Sequence, residues 1–153
     1  MSIAPDTRLQ YDILREEYLP AIMEIEKEAY PEPWTVGMFR EEIRSKRSFF
    51  YTAWLGDTLV GYSGFWLVLD EGHITSLTVR CDYRGYGYGR EQLLHLLAAG
   101  EERGVRTFTL EVRESNERAR KLYDSMGFRA VGMRKGYYSS TREDAVVMLK
   151  ELP

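Results

Sequence analysis

The sequence predicts one α/β domain over residues 1–153, with a mixed central sheet of about seven strands flanked by about four helices. Three strand-like runs, 48–55, 58–69 and 73–80, are separated only by short turns, which predicts antiparallel neighbours. The next strand follows only after a helix, and a strand–helix–strand step joins parallel strands. The sheet is therefore predicted to be antiparallel in its first half, with one parallel step.

The N-terminal part is predicted to carry one strand and two helices. Alternating residues at 7–13 predict the first strand, and apolar residues at helical spacing over 17–29 predict a helix that tolerates Pro20 in its first turn. The two prolines of "YPEPW" end this helix, because they disfavour helical backbone in the residues before them. Thr35 is then predicted to cap a short helix over 36–44.

The C-terminal half is predicted to alternate helices and strands. The glycine-rich turn "RGYGYG" opens a leucine-rich helix that ends at Gly104, where glycine suits the left-handed C-terminal position. Residues 105–113 alternate as a strand, and Ser115 or Asn116 can cap a helix that Gly127 closes. Two last strands are predicted at about 129–135 and 143–149, on either side of "GYYSSTRED".

The composition excludes several classes of protein. A single cysteine, Cys81, cannot form an internal disulfide and supplies too few thiols for a zinc site with His73 and His95, so we expect a metal-free cytoplasmic protein. No apolar run approaches the roughly 18 residues of a membrane span, and the N-terminus lacks a leader pattern, so no membrane partner is expected. The net charge of −3 argues against electrostatic binding of nucleic acid. We expect a monomer.

The turn "RGYGYG" is a candidate anion site. A glycine-rich turn between a strand and a helix points unpaired N–H groups outward at the positive end of the helix dipole, and glycines let phosphate oxygens approach them. The alternative is a plain helix-entry turn. The P-loop pattern fails because no lysine lies between Lys46 and Lys121. The dinucleotide fingerprint fails because its last glycine falls on Arg90 or Gln92.

The spacing does satisfy Arg/Gln-x-x-Gly-x-Gly/Ala, through Arg84, Gly87 and Gly89. This pattern resembles the acetyl-CoA pyrophosphate loop of the Gcn5-related N-acetyltransferase (GNAT) superfamily, and "LEVRESNERARKLYDSMGF" resembles that superfamily's second signature. "YPEPWT" and "GYYSSTREDAVVM" narrow the resemblance to the RimI-like branch, the protein N-terminal acetyltransferases. The likeness covers about residues 12–149, and it implies the GNAT fold, in which the parallel strands splay apart at the cofactor.

The resemblance implies acetyl-CoA as co-substrate. It assigns cofactor binding to the end of one strand, to the turn and to the later helix, at Leu77, Thr78, Val79, Arg84, Gly85, Tyr86, Gly87, Tyr88, Gly89, Arg90, Asn116 and Tyr123. The chain departs from the family pattern at Cys81, Tyr86, Tyr88, Glu91 and Gln92. Glu91 would repel a pyrophosphate if both lay on the same side, and Arg84 and Arg90 would offset that charge.

Acetyl transfer from a thioester to an amine requires a base for the amine and an acid for the departing thiolate. Taken alone, Glu111 is typical of a solvated strand glutamate, and Tyr123 is typical of a buried core aromatic. The resemblance makes Glu111 the general base and Tyr123 the acid. A histidine at a strand start is typically incidental, yet the resemblance keeps His73, with Glu32, as a second acid/base candidate.

The predicted function is transfer of an acetyl group from acetyl-CoA to a protein's N-terminal α-amine, by direct attack in a ternary complex. The resemblance names a ribosomal protein that begins with alanine as one candidate partner. It implies a narrow slot for the peptide end, with Tyr137 and Tyr138 in a loop, and substrate contacts from Glu32, Trp34, His73, Tyr137 and Tyr138, with Tyr30 beside them. The alternatives are acetylation of a lysine or small amine, and a non-catalytic acyl-CoA-binding module.

Overall fold

The structure is a computed structural model that describes residues 8–153; residue 7, the start of the first predicted strand, lies outside them. These residues form one seven-stranded sheet and four α-helices, which confirms the predicted composition of the fold. The elements are β1 (Gln10–Ile13), α1 (Leu19–Ala29), α2 (Val36–Arg44), β2 (Ser48–Leu55), β3 (Thr58–Val68), β4 (Glu71–Val79), α3 (Tyr88–Glu102), β5 (Thr107–Arg113), α4 (Glu117–Ser125), β6 (Arg129–Tyr138) and β7 (Glu143–Glu151). No helix in this part of the chain combines the length and apolarity needed to cross a membrane.

The strands lie in the order β1-β2-β3-β4-β5-β7-β6. The β4–β5 pair is parallel and the other neighbouring pairs are antiparallel. Short turns join β2, β3 and β4, whereas α3 makes the long crossover that a parallel pair requires. The predicted mixed sheet, antiparallel in its first half with one parallel step, is confirmed.

The parallel pair splays apart towards its C-terminal ends. β4 pairs with β5 only where residues 71–73 meet residues 107–109. β4 continues to Val79 and β5 to Arg113, and no further pairing joins the two strands within residues 8–153. Main-chain N–H and C=O groups on the facing edges therefore lack a strand partner, and buried groups of this kind require another one. The opening between the two strands is the place where the sheet can receive a ligand.

Side-chain caps explain where two of the helices begin. The Thr35 hydroxyl accepts a hydrogen bond from the Met38 N–H at 3.2 Å, which satisfies a free donor of the first turn of α2. The Asn116 Oδ1 accepts one from the Ala119 N–H at 3.1 Å in the same way at α4. Asn116, rather than Ser115, is therefore the cap of α4. Both caps are short-range features, which is why the sequence pattern located these helix starts.

Two large apolar clusters hold the helices on the sheet. One packs α3 and α4 against the central strands and includes the fully buried Phe65 and Phe108. The other packs α1 and α2 against β2 and β3 and includes the fully buried Phe39 and Tyr62. Burial of each such side chain contributes about 1.5–3 kcal/mol. The clusters thereby fix the helices that border the opening between β4 and β5.

The prediction that Tyr137 and Tyr138 lie in a loop is wrong. β6 extends to Tyr138, which pairs with Glu143 of β7. The pairing is irregular between Arg134 and Tyr138, and Gly136 in this stretch has a φ of 59°. A β-bulge accommodates extra residues without ending the strand, so the pairing of β6 with β7 resumes at Tyr138.

Candidate active site

Two adjacent cavities, which share lining residues, lie in and beside the opening between β4 and β5. The larger, of about 900 Å³, is lined by residues 73–77 of β4 and 110–113 of β5, and we call it the cleft. The smaller, of about 380 Å³, lies at the glycine-rich turn, and we call it the loop cavity. Six residues line both: Ala29, Tyr30, Leu77, Asn116, Ala119 and Tyr123. A molecule in the loop cavity can therefore reach the cleft past Tyr123.

The glycine-rich turn shapes the loop cavity. Gly85 and Gly87 have φ values of 86° and 85°, which favour glycine because a Cβ is strained there. Gly87 is the N-terminal cap of α3, and no side chain caps this helix. The first-turn N–H groups of α3 have no partner within the helix and carry the positive end of its dipole. The turn thus has the backbone features of an anion site.

Eleven of the twelve predicted cofactor-binding residues line the loop cavity: Leu77, Thr78, Val79, Arg84, Gly85, Gly87, Tyr88, Gly89, Arg90, Asn116 and Tyr123. Tyr86 is the exception, because its side chain is 49% exposed and does not line the cavity. Tyr88 is only 3% exposed and packs in a small core cluster with Leu9 and Val60. Tyr86 is therefore largely exposed outside the cavity, whereas Tyr88 belongs to the core and contributes to the cavity wall.

Glu91 and Gln92, which depart from the family pattern at the start of α3, do not line the loop cavity either. Burial raises the pKa of Tyr11 on β1 to about 12, and the charge of Glu91 adds to that effect. The fully buried Gln92 donates from Nε2 to the Thr78 carbonyl at 2.9 Å, so it braces the end of β4.

Sequence reasoning missed Arg118, which also lines the loop cavity. Its Nη2 atom lies 3.7 Å from the position that a Cβ on Gly85 would occupy, so the guanidinium borders the turn. Arg84 is held differently, because its Nε donates to the Val79 carbonyl at 3.0 Å. In the sequence, Arg118 is one charge in the run "ERAR" and is typical of a solvated helix face. Only the approach of α4 to the turn distinguishes it.

Glu111, the predicted base, lines the cleft. Its side chain is 10% exposed, with Oε2 at 2.5 Å from His73 Nε2 and Oε1 at 3.3 Å from Arg134 Nε. The hydrogen bond from His73 lowers the pKa of Glu111, and the positive charge of Arg134 adds to that effect. The carboxylate is therefore ionised at neutral pH and can accept a proton.

Tyr123 lies between the cleft and the loop cavity, with its ring buried against Phe128 at a centroid distance of 5.6 Å. Burial raises the pKa of its hydroxyl well above the usual value. The hydroxyl is thus protonated at neutral pH, as a proton donor must be, although the raised pKa makes it a weaker acid than an exposed tyrosine. Position and protonation state both agree with the predicted acid, which stays a prediction.

The five predicted substrate-binding residues all line the cleft: Glu32, Trp34, His73, Tyr137 and Tyr138. The suggested His73–Glu32 acid/base pair is not seen as a hydrogen bond. Glu32 instead accepts hydrogen bonds from the Ser140 N–H and the Ser139 hydroxyl, across the cleft from its own segment. His73 is bonded to Glu111. Within residues 8–153, no group of three or more histidine, cysteine, aspartate or glutamate side chains could hold a metal ion.

Comparisons with known proteins identify the family. The chain matches the acetyltransferase (GNAT) family over residues 19–128. It is 37% identical to the ribosomal protein bS18-alanine N-acetyltransferase of Escherichia coli K12 over 132 residues, which are 85% of this chain and 88% of that protein. The crystal structure of an E. coli ribosomal-protein-S18-alanine N-acetyltransferase superposes with a TM-score of 0.86 at 34% identity, covering 94% of each chain. Arabidopsis thaliana Naa50 with the bisubstrate analogue CoA-Ac-MVNAL shares the fold, with a TM-score of 0.82 at 24% identity over 94% of this chain and 99% of that chain. The chain therefore belongs to the acetyltransferase (GNAT) family, a family of acyltransferases.

Proposed function

We propose that this protein transfers the acetyl group of acetyl-CoA to the N-terminal α-amine of a protein, by direct attack of the amine in a ternary complex. The observation that carries the proposal is the order of groups along one opening. An ionised Glu111 lines the cleft, a protonated Tyr123 stands at the junction, and a turn with the backbone features of an anion site lies beyond it. The relatives named for alanine N-acetylation of ribosomal protein bS18 support the same reaction, and a ribosomal protein with N-terminal alanine is the first candidate substrate.

Acetyl-CoA occupies the loop cavity in this proposal. Its pyrophosphate lies at the N-terminus of α3, where the free N–H groups and the charges of Arg84, Arg90 and Arg118 favour it. Its thioester extends along the free edge of β4 towards the cleft. Naa50, which shares the fold, was solved with a CoA-linked peptide analogue, and this supports a CoA site in the present fold.

The chemistry needs one proton acceptor and one donor. Glu111 takes a proton from the substrate ammonium, directly or through water, and the neutral nitrogen attacks the thioester carbon. The N–C bond forms as the C–S bond breaks, and Tyr123 protonates the departing sulfur. The proton that the new amide nitrogen loses returns to Tyr123 through solvent. Glu111 passes the proton of the ammonium to water, so one proton is released overall. The products are the acetylated N-terminus and the free CoA thiol.

The base is suited to an α-amine rather than to a lysine. An α-amine has a pKa near 7.7–8.0, whereas lysine has one near 10.4, and the gap corresponds to about 3.4 kcal/mol of deprotonation work. The pKa of Glu111 is lowered, so Glu111 is a weak base and supplies little of that work. Lysine acetylation is therefore the less favoured of the two reactions.

A peptide panel tests the proposal. The protein is incubated with acetyl-CoA and peptides that begin with Ala, Ser or Met, or with an N-blocked peptide that carries one lysine, and the free thiol is followed. We expect thiol release with the free N-termini, alanine first. Transfer to the blocked lysine peptide alone would refute the proposal. Cofactor binding with no thiol release from any amine would instead support a non-catalytic acyl-CoA-binding module.

A further inference from the structure

Glu26 of α1 is a buried carboxylate with no part in the proton transfers. It is 3% exposed and borders the cleft. Burial raises its pKa, although two hydrogen bonds oppose that effect. Its Oε1 accepts from the Tyr62 hydroxyl at 2.5 Å, and its Oε2 accepts from the main-chain N–H of Trp34 at 2.8 Å. Both oxygens are thus engaged, and a buried carboxylate is kept only when it is bonded in this way.

The segment 30–35, which we call the wall segment, is bonded to Glu26 through two of its main-chain N–H groups. It links α1 to α2 without helix or strand, and its two prolines, Pro31 and Pro33, have no N–H to donate. The Trp34 N–H bonds to the Glu26 side chain, and the Tyr30 N–H bonds to the Glu26 carbonyl at 3.1 Å. The Tyr30 bond is the ordinary main-chain bond at the end of α1, so the Trp34 bond is the one that depends on the Glu26 side chain.

The second partner of Glu26 extends this contact to the cofactor side. Tyr62 is fully buried on β3 and pairs in register with Thr78 of β4. The Thr78 hydroxyl lies 2.7 Å from the Tyr30 hydroxyl, and Thr78 lines the loop cavity. The wall segment is thus joined to the end of β4 through Glu26 and Tyr62 at one point, and through Tyr30 at another.

We propose that Glu26 is a positioning residue, which holds Trp34 and the wall segment in place as one side of the peptide slot. The inference rests on the proposed function, since it concerns the peptide of that same reaction. With both oxygens engaged, Glu26 acts through Trp34 rather than on the reacting atoms. Loss of its acceptor leaves the Trp34 N–H without a partner and loosens the wall. Peptide binding then weakens, while the chemistry of Glu111 and Tyr123 continues.

Kinetics of three variants test the inference. Glu26→Met removes the acceptor at similar length, whereas Glu26→Gln keeps one carbonyl oxygen for the Trp34 N–H. Glu42→Met is the matched control, because Glu42 is a buried glutamate, 5% exposed, whose carboxylate accepts from the Trp66 indole away from the cleft. We expect Glu26→Met to raise the peptide KM by about tenfold with kcat changed less than about twofold. Glu26→Gln should restore most of the KM, and Glu42→Met should leave it unchanged. An equal KM in both Met variants overturns the inference.

A second measurement needs no activity and no variant. Amide hydrogen exchange of the wild-type protein compares the exchange rate of the Trp34 N–H with that of the Glu32 N–H, two residues earlier in the wall segment. We expect the Trp34 amide to exchange at least about a hundredfold more slowly, because it is hydrogen-bonded to a buried carboxylate. Equal exchange of the two amides overturns the inference, even if the protein acetylates no peptide. Slow exchange of Trp34 with no N-terminal acetylation would instead uphold the anchor and reject the proposed function.

Discussion

The Nε2 atom of His73 lies 2.5 Å from the Oε2 atom of Glu111, although the two residues are 38 positions apart in the chain. The parallel register explains the contact: His73 pairs with Thr109, and Glu111 is the next residue on the same face of β5. It is also the last pairing before the strands separate. The candidate base is thus held at the point where the sheet opens, with its hydrogen-bond partner beside it.

Replacement of Glu111 tests the base. Glu111→Gln keeps the shape and the bond to His73 but removes the proton acceptor, so we expect kcat to fall by about 10²–10⁴. The affinity for acetyl-CoA should change by less than about threefold, because Glu111 lines the cleft and not the loop cavity. Steady-state kinetics and calorimetric titration with CoA measure the two effects. An unchanged kcat would remove Glu111 from the mechanism.

The pH dependence follows from the lowered pKa of Glu111. The His73 contact lowers the pKa of Glu111, so this carboxylate stays ionised throughout pH 6 to 8. Its titration therefore does not limit kcat/KM in that range. The pH dependence of kcat/KM is set instead by the substrate amine, which has a pKa near 7.7–8.0. We expect kcat/KM to rise about tenfold per pH unit up to about pH 7.5 and then to level off. The midpoint should follow the titrated pKa of the amine across two peptides. A midpoint that is the same for both peptides would assign the limit to an enzyme group.

Tyr123→Phe tests the acid. The ring is buried and its shape is kept, so the variant should fold, and its unfolding midpoint serves as the control. Loss of the proton donor should slow release of the CoA thiol by about 10- to 10²-fold. A substrate analogue with a more acidic thiol should recover part of the rate, because its thiolate leaves without a proton. Equal slowing with both thiols would argue for a packing role alone.

Gly61→Ala tests the brace at the end of β4. A Cβ on Gly61 would overlap the Thr78 carbonyl oxygen and lie 2.6 Å from Gln92 Nε2, so the bond between these groups must give way. We expect a loss of about 1–3 kcal/mol in the free energy of unfolding, together with weaker acetyl-CoA binding. Gly132→Ala on β6 is the control, since nothing lies within 4 Å of its Cβ position. Urea unfolding and CoA titration compare the two variants.

Arg118→Ala tests the cation that sequence reasoning missed. If Arg118 faces the pyrophosphate, its loss should raise the Kd for CoA by about 3- to 10-fold, and the difference should shrink at high salt. Arg129→Ala is the control: it removes a positive charge from β6, where Arg129 forms an exposed ion pair with Glu151 of β7. This variant should leave the Kd for CoA unchanged. A Kd equal to that of the wild type at low salt would place Arg118 outside the cofactor site.

Local chemistry determined much of this protein. Periodicity located the four helices and seven strands, and Thr35 and Asn116 marked helix starts because a cap acts within one turn. The glycine spacing indicated an anion site, since backbone conformation at Gly85 and Gly87 depends mainly on the residue itself. The parallel step followed from the helix that separates β4 from β5.

Tertiary structure decided which side chains meet and which are buried. Helical spacing places Glu26 on the apolar stripe of α1 with Leu19 and Ile22, whereas Glu24 and Glu28 lie on its exposed face. Only the tertiary structure supplies the Tyr62 hydroxyl and the Trp34 N–H that satisfy its buried carboxylate. Tyr88 turns into the core and Arg118 approaches the turn only once β3 and α4 are packed in place. Contacts of this kind join residues far apart in the chain, and their geometry depends on register and packing, which no short stretch of sequence contains.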